Sequence, residues 1–217
     1  MISKAFVIAS SLSLEPDRAE ICRDVHRANA RGVSHLVVNE NMVACAMDEV
    51  RSARLSVQIT GLIGFPIGQW LWPAKKVAVD ELAGIQNGPV AVMHGVGSWL
   101  DRATSSHTEF AGLDQITGEK WIVTSLSAIP EARLGALAED VAHTGASHLI
   151  LSNGVAASGL PLPGAPLISA FARHVAARFK LAAMMPTGTD TTTINVALDA
   201  GADKVVCADF WTLTDHT

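Results

Sequence analysis

The sequence predicts a (β/α)8 barrel, and two observations predict it: a phrase that occurs three times, and the spacing between its copies. The phrase reads Gly32-Val33-Ser34-His35-Leu36-Val37-Val38, then Gly145-Ala146-Ser147-His148-Leu149-Ile150-Leu151, then Gly201-Ala202-Asp203-Lys204-Val205-Val206-Cys207. Each copy opens where a helix-like segment ends, at a glycine able to take the left-handed conformation that closes helices. A β-branched run follows, apolar on both faces, as a buried parallel strand requires. The glycines lie 113 and 56 residues apart, about four and two units of about 28 residues. Eight units of about 27 residues would fill the 217-residue chain, which favours a closed barrel over an open doubly wound sheet.

The strands then fall in order. Strand 1 is placed over 5–10, strand 2 over 35–39, strand 3 over 57–62 and strand 4 over 90–94. Strand 5 is placed over 120–125, strand 6 over 148–152, strand 7 over 181–185 and strand 8 over 204–208. Helical patterns such as Leu134, Leu137 and Val141 lie between them, with Pro130 suited to a first turn and Asp190 or Thr191 to an N-cap. One barrel domain over 1–217 is expected, with a final helix that is short or absent. Apolar strand surface left uncovered there predicts a homo-oligomer.

Composition narrows the function classes. Hydrophobic residues make up 49% and charged residues 17%, which excludes a disordered chain. A net charge of −5 and a pI near 5.9 give no reason to expect nucleic acid or an anionic membrane as partner. No run approaches the roughly 20 apolar residues of a membrane span, and Met1 to Leu14 lacks the pattern of a signal peptide. Cys22, Cys45 and Cys207 show no C-x-x-C spacing and read as reduced core thiols of a cytoplasmic protein. No H-x-x-x-H, paired carboxylate or glycine-rich nucleotide fingerprint appears, so neither metal nor cofactor is expected.

Three motifs carry a resemblance. Ile63-Gly64-Phe65-Pro66-Ile67-Gly68 follows strand 3, with Lys75 early in the next helix. Val37-Val38-Asn39 leads into Met42-Val43-Ala44-Cys45-Ala46. Gly145-Ala146 opens strand 6, and Ser152 and Gly154 close it. In this order and spacing the chain resembles the deoxyribose-phosphate aldolase family over nearly its whole length. The resemblance implies a barrel in which a strand-6 lysine forms an iminium with a carbonyl substrate, an electron sink for cleaving or making a carbon–carbon bond.

The chain departs from that pattern at each chemical position. Ile150 stands where the resemblance places the nucleophilic lysine, and Met185 where it places the second lysine that lowers the first one's pKa. Ala91 and Ala9 replace the acidic residues. The phosphate turns have become Thr187-Gly188-Thr189-Asp190 and Ala208-Asp209-Phe210-Trp211, whose aspartates and aromatics oppose an anion. The resemblance therefore implies neither an imine nor a sugar phosphate here. Lys120 alone matches a family-like inward lysine; it either reaches a pocket from below or pairs with a carbonyl or acid in the barrel floor.

Replacement chemistry is sought at the carboxyl ends of the strands. The candidate acid–base residues are Glu40 and Asp209, with Lys120 as supporting candidate. Asn39, Thr124, Ser152, Asn153, Met185 and Thr187 are expected to line the mouth. The chain has no tyrosine and five tryptophans, of which Trp70, Trp72, Trp99 and Trp211 follow strands. Trp70, Trp99 and Trp211 are the candidates for an apolar ligand pocket, or alternatively for helix-end cover or a subunit contact. His94 is expected to point outward against a helix, and His35 and His148 to face the lower barrel. Two functions remain open: an enzyme acting without a lysine imine on a small, apolar or aromatic carbonyl compound, or a pseudo-aldolase that binds a ligand or partner.

Overall fold

The apolar runs marked by the repeat are strands in the computed structural model, which describes residues 3–12, 17–66, 68–101, 104–125, 129–152, 164–175, 178–185, 188–208 and 210. The order is β1 (Val7–Ser11), α1 (Arg18–Ala30), β2 (His35–Asn39), a 3-10 turn (Glu40–Met42), α2 (Val43–Ser52), β3 (Gln58–Ile63), α3 (Trp72–Ala83) and β4 (Val90–Met93). Next come α4 (Val96–Leu100), α5 (Thr104–Asp114), β5 (Lys120–Ser125), α6 (Leu134–His143), β6 (His148–Ser152), α7 (Ala165–Val175), β7 (Lys180–Met184), α8 (Thr191–Asp199) and β8 (Lys204–Cys207). All eight strands pair in parallel, and β8 closes on β1. β2, β5 and β6 have their predicted bounds; the other five differ by one or two residues at an end.

The repeat glycines do what the phrase requires. Gly32, Gly145 and Gly201 have φ of 64°, 68° and 107°, so each turns the chain out of a helix at little steric cost. Asp190 caps α8 by accepting the Thr193 N–H at 2.8 Å, one of the two caps the sequence allowed.

Two hydrophobic clusters share the strands. One face of each strand packs outward under the helices, and the other fills the barrel with Ile8, Val37, Leu62, Ala91, Met93, Trp121, Val123, Ile150, Ala182 and Val206. The pairwise registers stack these in layers drawn from alternate strands. Val37, Ala91, Ile150 and Val206 form one layer, with Ser10, Leu62, Val123 and Met184 above it. Trp121 fills the interior below them, in one layer with Ile8, Thr60 and Ala182. His35 and His148 lean on it with ring centroids 5.1 and 4.9 Å away, as expected of two lower-barrel histidines.

Helix packing is tight where small residues allow it. A Cβ on Gly112 of α5 would run into the Trp72 indole of α3. Gly112→Ala is therefore expected to cost about 1–3 kcal/mol by overpacking, read as a lower urea midpoint at unchanged slope.

Candidate functional site at the carboxyl ends of the strands

The upper mouth is built from short polar side chains over an apolar plug. By register, Asn39, Met93, Ser152 and Ala208 continue the interior alternation above Ser10, Leu62, Val123 and Met184. Ser125 points inward on the same parity as Trp121 and Val123. Phe65 and Met184 pack against the interior cluster. Glu40 follows Asn39 directly, in the 3-10 turn that leads into α2. Burial pushes its carboxyl pKa up, while its own N–H and that of Gly64 pull the other way. Glu40 is thus a carboxyl set at the rim and hydrogen-bonded to the loop after β3.

Several expected lining residues are elsewhere. Thr124 pairs in register with Leu151, whereas its neighbour Val123 pairs with the interior Ile150. Thr124 consequently turns outward, where its hydroxyl lies 3.3 Å from His94 Nδ1. Met185 also joins the outer cluster, because the register pairs Met184, not Met185, with the interior Val206. Parity read from the positions matched to the family therefore fails at both places. Lys120 starts β5 at the opposite end of the barrel and donates to the carbonyls of Asp114 and Ile116, at 3.3 and 3.0 Å. It anchors the turn before the strand, so the catalytic assignment is corrected to the structural one.

The tryptophans divide in the same way. Trp70 is half exposed on the loop after β3. Trp99 is 5% exposed and lies in the helical layer. Its Nε1 donates to Asp140 of α6 at 2.7 Å, and the Arg133 guanidinium stacks 4.6 Å from its ring. Trp99 therefore covers a helix junction and does not line the mouth. Asn153, Thr187, Asp209 and Trp211 lie outside the described residues.

The family-like phrase after β3 forms a clamp that sequence reading missed. Gly68 has φ of 65°, and a Cβ there would stand 2.7 Å from the carbonyl oxygens of Met93 and His94. Only glycine lets the loop come so close to the end of β4. Into this contact reaches Lys75 of α3, fully buried, whose Nζ donates to Gly68 O at 2.8 Å, Met93 O at 2.7 Å and Glu109 Oε1 at 2.6 Å. Burial pushes the lysine pKa down and the Glu109 carboxyl up, and the attraction between the two opposes both shifts. All three ammonium protons are used, so Lys75 is a strut and not a nucleophile. His94, outward as expected, packs between Phe110 and Trp99 with ring centroids 4.8 and 6.3 Å away.

The opposite end of the barrel is less suited to a ligand. A groove of about 620 Å³ opens there beside His148, Lys180 and Asp203, but its charges are mutually engaged. Lys180 lies 3.6 Å from Asp203, and Arg178 lies 2.6 Å from Glu139. Among the described residues no three His, Cys, Asp or Glu side chains gather as a metal site, and no helix is long and apolar enough to cross a membrane.

No family model and no curated protein sequence matches the chain. Solved structures do. The aldolase QR15 superposes with a TM-score of 0.83 at 17% identity, covering 97% of this chain and 93% of its own. A structure described as a deoxyribose-phosphate aldolase of Coccidioides immitis gives 0.85 at 13%, covering 97% and 83%. The deoxyribose-phosphate aldolase of Aeropyrum pernix, described as a unique tetramer, gives 0.78 at 15%, covering 94% and 86%. The chain has the fold of the deoxyribose-phosphate aldolases. Within that barrel, the stretch that carries the resemblance after β3 meets the carboxyl end of β4 through Gly68 and Lys75. The interior positions where the resemblance placed chemistry hold Ile150 and its apolar neighbours.

Proposed function

We propose that this aldolase-fold protein binds a small, uncharged, largely apolar carbonyl compound at the upper mouth and catalyses a lyase-type or isomerase-type step through Glu40, without a lysine imine. One observation carries this reading: the carboxyl of Glu40 is held at the rim by the Gly64 amide, with its pKa raised by burial. A carboxyl whose pKa burial raises is a stronger base than an ordinary one once ionised, and an α-proton of a carbonyl compound is the proton such a mouth presents to it. Asn39, Ser10, Ser125 and Ser152 supply neutral groups of the kind that orient a carbonyl oxygen, over a floor of Ile150, Met93 and Met184. The strand lysines Lys120, Lys180 and Lys204 all begin their strands at the far end, and Lys75 is fully engaged. Asp209 is a second acid–base candidate in this proposal, with Trp211 and Thr187 as further lining residues. A homo-oligomer, with the exposed Trp70 and Leu71 in the contact, belongs to the same reading.

Deuterium exchange into small ketones and aldehydes in D2O, followed by NMR, tests it. Glu40→Gln is expected to slow exchange by about 10²–10⁴-fold, and borohydride with the same carbonyls is expected to leave no covalent adduct. Ligand binding with no exchange in the unaltered chain supports instead the pseudo-aldolase reading, a binding protein on an enzyme's fold. A borohydride adduct on any lysine overturns the imine-free mechanism.

A further inference from the structure

The outer wall holds two thiols that the barrel brings together from opposite sides of a strand. In a (β/α)8 barrel neighbouring helices run parallel, since each returns antiparallel to its own strand. α1 and α2 are such neighbours, and His26 Nε2 lies 2.7 Å from Glu49 Oε1 between them. Cys22 stands one turn before His26, and Cys45 one turn before Glu49, so the same separation of 23 residues relates both pairs. On parallel helices a contact at one level repeats a turn earlier on the same faces. Cys22 therefore faces Cys45.

We propose that Cys22 and Cys45 form a redox-active dithiol on the outer wall, which a peroxide converts into an intramolecular disulfide joining α1 to α2. Both side chains are half-buried and within reach of a small oxidant, whereas Cys207 is buried in β8. The Cys22 thiol interacts with Cys45 and with the Glu49 carboxylate, and burial together with these two neighbours pushes its pKa up. In the reaction, one sulfur attacks the peroxide O–O bond and becomes a sulfenic acid, releasing one water. The second thiol then attacks that sulfur, the S–S bond forms and a second water leaves. Two thiols and one hydrogen peroxide thus give one disulfide and two waters, with two electrons passing from sulfur to oxygen. Cys45 lies in the first turn of α2, five residues after Glu40. The bond would tie the segment that carries the mouth's carboxyl to α1. The proposal holds whatever the mouth binds.

The test treats the whole chain with hydrogen peroxide, alkylates the remaining thiols under denaturing conditions, and maps disulfide-linked peptides by mass spectrometry. The free thiols are expected to fall from the three of the sequence to one, with a single Cys22–Cys45 linked peptide. The melting temperature is expected to rise by about 5–10 °C as the cross-link restricts the unfolded chain, and dithiothreitol should reverse both changes. Cys22→Ser and Cys45→Ser should each keep their two thiols unlinked and show no thermal gain. Sulfinic acids without a linked peptide, dimers joined through either cysteine, or any other linkage would overturn the proposal. The mapping on the unaltered chain decides this even where a variant fails to fold.

Discussion

Lys75→Met is expected to lower stability by about 3–5 kcal/mol, the usual cost of stripping one partner from a buried ion pair. Methionine keeps much of the apolar stem but removes three donated hydrogen bonds at once. Glu109 is left as a buried carboxyl with a single long contact, the Gly95 N–H at 3.4 Å. The carbonyls of Gly68 and Met93 also lose their donor, at the point where the loop after β3 meets the end of β4. Urea unfolding of the single variants and of Lys75→Met with Glu109→Gln gives the coupling. The double variant should cost clearly less than the sum, because the neutral amide no longer leaves an uncompensated charge. A loss under about 1 kcal/mol for Lys75→Met would show that the clamp does not hold the loop.

Acid is expected to destabilise the barrel between about pH 6.5 and pH 4, by several kcal/mol in all. His94 and His148 carry most of this, and His35, also pushed down by burial, adds to it. Burial pushes the first imidazole down to about 3, helped by the Lys75 ammonium beside it. The second is pushed to about 4 by burial and Lys204, against the opposing pull of Glu119. Both folded-state values lie below the ordinary 6.5 of an imidazole, so the unfolded chain takes up these protons first. The stability they contribute is fully present above about 6.5 and drains away as pH falls toward the folded values, at about 1.4 kcal/mol per pH unit for each group. Unfolding free energies measured from pH 7 to pH 4 check the slope. His94→Phe, placed among Trp99 and Phe110, should flatten it by about half; an unchanged slope would mean that the buried histidines do not drive acid unfolding.

The site was partly legible in the sequence. Glu40, Asn39 and Ser152 are at the mouth because each closes or follows a strand whose end the repeat marks. Thr124 and Met185 were misplaced for a single reason: which side of a strand faces inward depends on its pairing with the neighbours. Val123 must share a side with Ile150, and Met184 with Val206, and neither relation is written in either strand alone. For Lys120, at the start of strand 5, the sequence left two roles open, a reach into the pocket from below or a pairing with a carbonyl or acid. Its bonds to the carbonyls of Asp114 and Ile116 decide for the second.

What the sequence by itself determined is the barrel, its eight strands and the absence of lysine from the upper strand ends. These follow from short-range features: a glycine that ends a helix, a β-branched run after it, and a spacing that repeats. Only the tertiary structure decided that Lys75 is a strut, that Trp99 belongs to the helical layer, and that Cys22 faces Cys45. Those outcomes join residues from 7 to 41 positions apart, and closure of the barrel sets which of them meet. Ile150 on strand 6, where the resemblance places a lysine, is therefore a local fact, whereas the three bonds that engage Lys75 are a consequence of the fold.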